Sequence, residues 1–205
     1  MFKTEQESFW AGDFGDKYID RNTEKKLLAS NINFFARALG RVSSLNSCLE
    51  FGANIGINLK ALKFLVPEIQ TSAVEINSKA ADELRKFIPQ ERVFNNSVID
   101  FNPTIKTDLV LSKGVLIHIN PKFLRAVYEK LYLASKKYIL LCEYYNSSPI
   151  EVEYRGYQDK LFKRDFAGDI LDMFNDLELV DYGFLYHRDL NFPQDDLSWF
   201  LLKKK

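Results

Sequence analysis

Residues 49–59 of the chain read LEFGANIGINL, and this stretch decides the fold. An apolar strand runs into Gly52, a second glycine follows at Gly56, and a helical pattern begins at Asn58. Gly52 lets the chain turn sharply and approach a ligand closely. The free N–H groups at the start of the helix form an electropositive concavity. The stretch therefore predicts a ligand-binding turn at the carboxyl end of a strand.

An acidic residue follows the turn at an informative distance. Glu75 ends the next predicted strand, 19 residues after Gly56. A carboxylate at that place can accept hydrogen bonds from both hydroxyls of a ribose bound across the strand tips. Strand, glycine turn, helix, strand and acid together predict a nucleoside-containing cofactor. The alternative interpretation is a tight turn beside an unrelated surface glutamate.

The rest of the chain predicts an α/β fold with one mixed sheet. Strands alternate with helices in its central part, which is typical of a parallel sheet covered on both faces. The predicted strands there are 48–51, 71–75, 92–95, 108–112 and 138–143. Residues 177–186 and 197–202 read as two further strands with no helix between them, so we expect them to pair antiparallel. Residues 1–40, with a helix capped at Thr23, form a helical lid segment on the main domain at 41–205, within one structural domain.

Composition and charge exclude several classes of protein. The 205 residues are 46% hydrophobic, which suits one compact domain. Equal numbers of acidic and basic residues, 28 each, disfavour a large electrostatic footprint on nucleic acid or a membrane surface. Cys48 and Cys142 lie in apolar runs, which predicts reduced, buried thiols in a cytoplasmic protein. The sequence shows neither an export signal nor an apolar run of the ~20 residues that span a bilayer.

The string from Glu50 to Gly56 reads E-x-G-x-N-x-G and lacks the third glycine of a dinucleotide-binding turn. It resembles the first motif of class I S-adenosylmethionine-dependent methyltransferases, acid-x-Gly-x-Gly-x-Gly. Asn54 replaces the middle glycine, and asparagine tolerates left-handed backbone angles. The resemblance implies S-adenosyl-L-methionine as cofactor and a Rossmann-like seven-stranded sheet. Its strand order would be 3-2-1-4-5-7-6, with an antiparallel C-terminal hairpin and helices on both faces.

The resemblance also implies which residues bind the cofactor. The glycine turn would face the methionine part, Glu75 the ribose, and the segment after the third strand the adenine. In the lid segment, Tyr18 and Arg21 would bind the methionine carboxylate. The expected cofactor contacts are Tyr18, Arg21, Glu50, Gly52, Ala53, Asn54, Gly56, Glu75, Ile76, Ser97, Val98 and Lys113.

A narrower resemblance extends over nearly the whole chain. Five stretches resemble the methylases associated with pseudaminic acid biosynthesis: 7–22, 108–121, 143–146, 154–169 and 186–200. The likeness implies glycan modification. The acceptor would be a small sugar-like molecule, such as an amino sugar, a nonulosonic acid or a glycan precursor, methylated on oxygen or nitrogen.

Catalytic candidates follow the fourth and fifth predicted strands, where the transferred methyl would lie. His118 suits a general base because imidazole titrates near neutrality; the alternative is a packing histidine beside the cofactor. Glu143 and Tyr144 are further candidates, as an acid that binds or deprotonates the acceptor and as an aromatic that stacks on a sugar face. The alternative is a strand-end acid and a rim aromatic.

Four residues are candidates for binding the substrate: Trp10, Tyr145, Arg155 and Arg188. Arg155 belongs to a basic run that could recognise a carboxylate or phosphate, although such runs are usually solvated faces. The group His187, Asp189, Asp195 and Asp196 matches no metal-ligand spacing, so no metal is expected.

The leading hypothesis is therefore a methyltransferase acting on a small sugar-like acceptor. Within that class, the alternative is an enzyme for another small molecule, RNA or protein. Outside it, the alternatives are an NAD-type oxidoreductase and a non-catalytic protein that kept the fold to bind a partner. The sequence leaves the acceptor atom and the oligomeric state open.

Overall fold

The computed structural model describes residues 2–21 and 24–205, with side chains described for 2–19 and 26–205. The α-helices are α1 (Glu5–Ala11), α2 (Asp13–Arg21), α3 (Glu24–Ala38), α4 (Ile57–Leu65), α5 (Ser78–Arg85), α6 (Leu124–Ala134) and α7 (Phe166–Met173). The strands are β1 (Ser47–Phe51), β2 (Gln70–Glu75), β3 (Val93–Asn95), β4 (Thr107–Lys113), β5 (Ser135–Glu143), β6 (Ile150–Tyr154), β7 (Tyr157–Lys163), β8 (Leu177–Phe184) and β9 (Ser198–Lys204). The cap predicted at Thr23 lies outside the described residues.

The main sheet has seven strands in the order β3-β2-β1-β4-β5-β9-β8. The first five are parallel, and β9 pairs antiparallel with both β5 and β8. Numbered within this sheet alone, the order is 3-2-1-4-5-7-6, so the predicted fold class and the antiparallel end of the sheet are confirmed. The register aligns Phe51 with Val74 on one side and with Ser112 on the other, so the carboxyl ends of three strands lie level at one edge.

The structure contains a second sheet, of two strands, that was not predicted from the sequence. β6 and β7 form an antiparallel hairpin that contacts the turn at 116–118. Glu151 and Glu153 are exposed on β6, so the segment lacks the apolar run that marks a core strand. Its anchor is Leu161, which is buried in the core.

The sheet lies between two apolar layers. On one face α3 and α4 pack with Phe34, Phe35 and Leu62, and on the other α6 and α7 pack with Leu131 and Ile170. Both cysteines are buried and free, as predicted. None of the described helices has the length and apolar character to cross a membrane.

Gly56 offers a test of how the turn is built. Its φ is +78°, and a Cβ there would lie 2.4 Å from Cζ of Phe87 and 2.7 Å from Cδ2 of Leu84. Gly156, at the β6–β7 turn, has a similar φ of +84° but nothing within 4 Å. We expect Gly156→Ala to lower the free energy of unfolding by about 1 kcal/mol, the cost of the left-handed backbone alone. Gly56→Ala should cost about 2 kcal/mol more because it also overpacks the core. Urea unfolding of the two variants measures the difference, and equal losses would contradict the packing argument.

Candidate functional site

A cavity of about 360 Å³ lies at the carboxyl ends of the parallel strands. Its walls come from the loops after β1, β2, β3 and β4, from α1, α2 and α3, and from the loop after β8. The volume is within the range of about 300–1,000 Å³ that small-molecule sites occupy. The cavity therefore lies where ligands bind in open α/β sheets.

The glycine turn forms the floor of this cavity. Gly52, Asn54 and Gly56 all have left-handed backbones, with φ of +68°, +49° and +78°. Asn54 thus adopts the conformation that its place in the motif predicts. A Cβ on Gly52 would lie 2.6 Å from Cγ2 of Val115, so only glycine fits beneath the loop after β4. The turn leads into α4, whose first residue follows Gly56 without a side-chain cap.

Glu75 joins two loops of the floor. Its side chain is buried, and its Oε2 accepts a 2.7 Å hydrogen bond from the backbone N–H of Asn54. Its Oε1 accepts a 2.7 Å bond from the N–H of Asn77. Burial raises the pKa of Glu75, and the backbone donors of Asn77, Asn54 and Ile76 oppose that shift. A carboxylate has about four lone-pair sites, so Glu75 keeps the capacity to accept from a ligand hydroxyl.

Most of the other predicted cofactor residues also line the cavity. The wall includes Tyr18, Ala53, Ile76, Ser97, Val98 and Lys113. Glu50 lies behind the wall, where its Oε1 accepts a 2.6 Å bond from the amide of Asn58, a lining residue. Burial raises the pKa of Glu50 to about 8. The side chain of Arg21 lies outside the described residues, so its predicted contact stays a prediction.

Two N-terminal aromatic side chains, Trp10 and Tyr18, also line the cavity. The rings of Trp10 and Tyr18 are 5.4 Å apart between centroids and nearly perpendicular. The indole Nε1 of Trp10 is buried, and no described residue accepts its hydrogen bond. Such a donor is costly to bury unpaired, and a bound ligand can satisfy it.

His118 is held on the cavity wall by its neighbours. Its Nδ1 lies 2.6 Å from the backbone oxygen of Lys160 on β7, so Nδ1 carries the proton and donates it. Its ring lies 4.6 Å from that of Trp10 and 4.9 Å from that of Tyr154. Burial lowers the pKa of His118 to about 4, which keeps the imidazole neutral near pH 7. Nε2 is therefore an unprotonated acceptor.

Glu143 anchors a loop behind the cavity. Its Oε1 accepts hydrogen bonds from the hydroxyl of Ser112 at 2.8 Å and from the N–H groups of Val115 and Leu116 at 3.1 and 3.2 Å. Burial raises its pKa to about 7. Glu143 is not among the lining residues, and its contacts support a positioning role for the loop that leads to His118.

Four further candidates lie away from the cavity wall. Tyr144 is half-buried under the ammonium of Lys163, which lies 4.9 Å from its ring centroid. Tyr145 is exposed near Phe200. Arg155 and Arg188 are exposed, the first at the tip of the β6–β7 hairpin and the second in the loop after β8. The structure thus brings His118 and Trp10 to the cavity but not these four.

The cavity also contains polar residues that the sequence did not single out. Asn31 on α3 and Gln194 in the loop after β8 are both buried, and each has a side-chain oxygen that accepts no hydrogen bond from any described residue. Asn31 lies among the apolar positions of α3. A polar residue on the buried face of a predicted helix is the sequence signal that could have identified it. Gln194 belongs to a polar loop in which nothing distinguishes it. Among the described residues, no three His, Cys, Asp or Glu side chains are grouped as a metal ion requires.

The arrangement of elements is similar to that of solved S-adenosylmethionine-dependent enzymes. The 1,6-didemethyltoxoflavin-N1-methyltransferase of Burkholderia thailandensis, solved with S-adenosylhomocysteine and 1,6-didemethyltoxoflavin, has a TM-score of 0.70 and 13% identity over 97% of this chain and 87% of that one. The plantazolicin methyltransferase with S-adenosylhomocysteine has a TM-score of 0.66 and 14% identity over 98% and 94%. The magnesium protoporphyrin IX methyltransferase of Synechocystis with S-adenosylmethionine has a TM-score of 0.64 and 15% identity over 100% of both chains. Neither a protein-family profile nor a curated protein sequence matches the chain. At these identities the similarity shows the fold, which is the Rossmann-like fold of class I methyltransferases.

Proposed function

We propose that the protein is an S-adenosylmethionine-dependent methyltransferase that transfers a methyl group to an oxygen or nitrogen of a small sugar-like acceptor. The observation that carries the proposal is that one cavity is lined both by the glycine turn with Glu75 and by His118 with Trp10 beside it. The glycine turn and Glu75 would hold the cofactor, and the neutral imidazole of His118 would face the acceptor.

The residues present fit the proposed cofactor. A Cβ at Gly52 would lie 2.6 Å from Val115 and one at Gly56 2.4 Å from Phe87, so the turn keeps its shape only with glycine at both positions. The N–H groups of Gly52 and Ala53 donate to the carbonyl of Val74 and that of Asn54 donates to Glu75, so the turn would meet the cofactor through its close backbone approach. The carboxylate of Glu75 would accept from the two ribose hydroxyls. Ser97 and Val98 would contact the adenine. When bound, the cofactor supplies a methyl group already activated on its sulfonium, so the protein has to align the acceptor and remove its proton where needed.

His118 is the proposed base. The carbonyl of Lys160 fixes the proton on Nδ1, so Nε2 has a lone pair available to an acceptor hydroxyl or amine. Its depressed pKa keeps that lone pair free through the physiological range. Because a base works best with a pKa near the operating pH, a pKa of about 4 makes this imidazole a weak base, and the acceptor has to become more acidic as the methyl is transferred for its proton to leave.

The lining of the cavity supports a small polar substrate. The indole ring of Trp10, the imidazole of His118 and the buried amide oxygens of Asn31 and Gln194 all line the cavity, which combines the aromatic faces and hydrogen-bonding groups that a sugar would contact. The similar enzymes named above act on small molecules. The resemblance to the pseudaminic acid-associated methylases supports a sugar-like acceptor made for a surface glycan.

Cofactor binding provides the first test. S-Adenosylhomocysteine should raise the melting temperature of the protein, and NAD should not. Glu75→Ala should weaken S-adenosylhomocysteine binding by about two orders of magnitude, because two charge-assisted hydrogen bonds are lost. Calorimetric titration measures the affinity, with Glu91→Ala, an exposed residue away from the cavity, as control. Unchanged affinity in a folded Glu75→Ala variant would remove the ribose assignment.

The buried neutral state of His118 predicts a specific dependence of stability on pH. An ordinary histidine in the unfolded chain titrates near 6.5 and the folded one near 4, so the unfolded state takes up its proton first as pH falls. The stability that His118 contributes is present above pH 6.5 and is lost as pH falls towards 4. Relative to His118→Gln, which does not titrate, the wild type should lose about 3 kcal/mol of unfolding free energy across this window. Chemical unfolding at several pH values measures the difference; parallel curves would mean that His118 is not buried in its neutral form.

The acceptor class can be tested in cells of the source organism. Mass spectrometry of surface glycans should show a component that loses the mass of one CH2 group when the gene is deleted. The wild-type gene should restore it, whereas a His118→Ala variant that still binds S-adenosylhomocysteine should restore little. Glycans unchanged by the deletion would argue against a glycan precursor, and full restoration by His118→Ala would remove the histidine as base.

A further inference from the structure

Glu7, on the cavity wall, has one carboxylate oxygen in use and one free. It is the third residue of α1 and closes a capping box with Thr4. Its Oε2 accepts hydrogen bonds from the N–H groups of Lys3 and Thr4, both at 2.8 Å. Its Oε1 is buried and receives no hydrogen bond from any described residue. The side chain is only 4% exposed, so the free oxygen needs a donor that a ligand in the cavity can supply.

The position of α1 decides which part of the cavity this oxygen faces. The ammonium of Lys3 forms an ion pair with Asp100, which ties the start of α1 to the turn after β3. Three residues after Glu7, the ring of Trp10 lies against His118. The helix thus runs from the β3 end of the cavity towards the proposed base. Glu7 is one turn nearer to the β3 end than Trp10 is.

The wall at the β3 end lacks another free carboxylate among the described residues. Ser97, Val98 and Ile99 line the cavity there, and the hydroxyl oxygen of Ser97 accepts from the N–H of Ile99. The carboxylate of Asp100 is engaged by Lys3 and is not part of the wall. Glu7 is therefore the carboxylate that a donor group at this end would meet.

We propose that Oε1 of Glu7 accepts a hydrogen bond from the 6-amino group of the cofactor's adenine, and so makes the N-terminal helix the part of the protein that distinguishes an adenosyl from an inosyl group. This inference rests on the proposed function, since it assigns the purine to the wall formed by Ser97 and Val98. A buried carboxylate oxygen accepts but cannot donate. It would favour a 6-amino group and repel a 6-oxo group.

The test compares two ligands and three forms of the full chain by calorimetric titration. S-Inosylhomocysteine differs from S-adenosylhomocysteine by a 6-oxo group in place of the 6-amino group. Wild type should bind the adenosyl compound about tenfold or more tightly than the inosyl one, which is the scale of a hydrogen bond to a charged group. Glu7→Gln keeps an oxygen for the capping box but presents an amide donor in place of Oε1. It should lower the adenosyl-to-inosyl preference by about tenfold or more.

Glu5→Gln is the matched control. Glu5 is on the same helix and carries the same charge, but it is exposed and pairs with Lys160 outside the cavity wall. This variant should keep the wild-type preference. Thermal unfolding without ligand shows whether Glu7→Gln folds, and if it does not, the preference of the wild type alone decides.

The outcomes separate this inference from the proposed function. A wild type that binds S-adenosylhomocysteine without preferring it, or a folded Glu7→Gln that keeps the wild-type preference, overturns the role of Glu7 and leaves the methyltransferase proposal standing. A wild type that binds neither compound overturns both.

Discussion

The shape of the cavity depends on one buried carboxylate shared by two loops. Glu75, at the end of β2, accepts from the backbone of Asn54 in the loop after β1 and from that of Asn77 in its own loop. A carboxylate removed from water is tolerated only while it is hydrogen-bonded. Both loops therefore have to keep their conformation for the charge to stay buried. The left-handed backbone of Asn54 is part of this constraint, because it turns the N–H towards β2.

The same device recurs at two other strand ends. Glu50, near the end of β1, holds the amide of Asn58 at the start of α4, and Glu143, at the end of β5, gathers the hydroxyl of Ser112 and backbone N–H groups after β4. Parallel strands place their carboxyl ends at one edge, where loops have no strand partner for their N–H groups. Buried glutamates supply acceptors there. Burial raises the pKa of both side chains, and the hydrogen bonds they accept offset part of that cost.

Features set by local pattern could be predicted from the sequence. The glycine turn and the left-handed Asn54 follow from short-range signals, because periodicity and glycine positions act within a few residues. The strand order was implied instead by the resemblance of that turn to the first motif of class I methyltransferases. The β6–β7 hairpin could not be predicted, since its strands are largely exposed and Leu161 is their one buried apolar residue. The hydrogen-bond partners of Glu143 could not be predicted either. An acid at the end of a strand has the same sequence pattern whether it faces a ligand or binds a loop, and only the register between β4 and β5 decides between the two.

The β6–β7 hairpin, which was not predicted from the sequence, connects the N-terminal helix α1 to His118, the proposed base. Lys160 on β7 accepts from His118 through its carbonyl and pairs with Glu5 of α1 through its ammonium. Next to it, the carbonyl of Asp159 accepts from the amide of Gln6 at 2.8 Å. Because the hairpin fixes both the imidazole tautomer and the position of α1, a displacement of α1 would act on the residues that orient His118. Helix α1, on the cavity wall, and His118, the proposed base, are therefore held by the same hairpin. Neither can move without straining the contacts of the other.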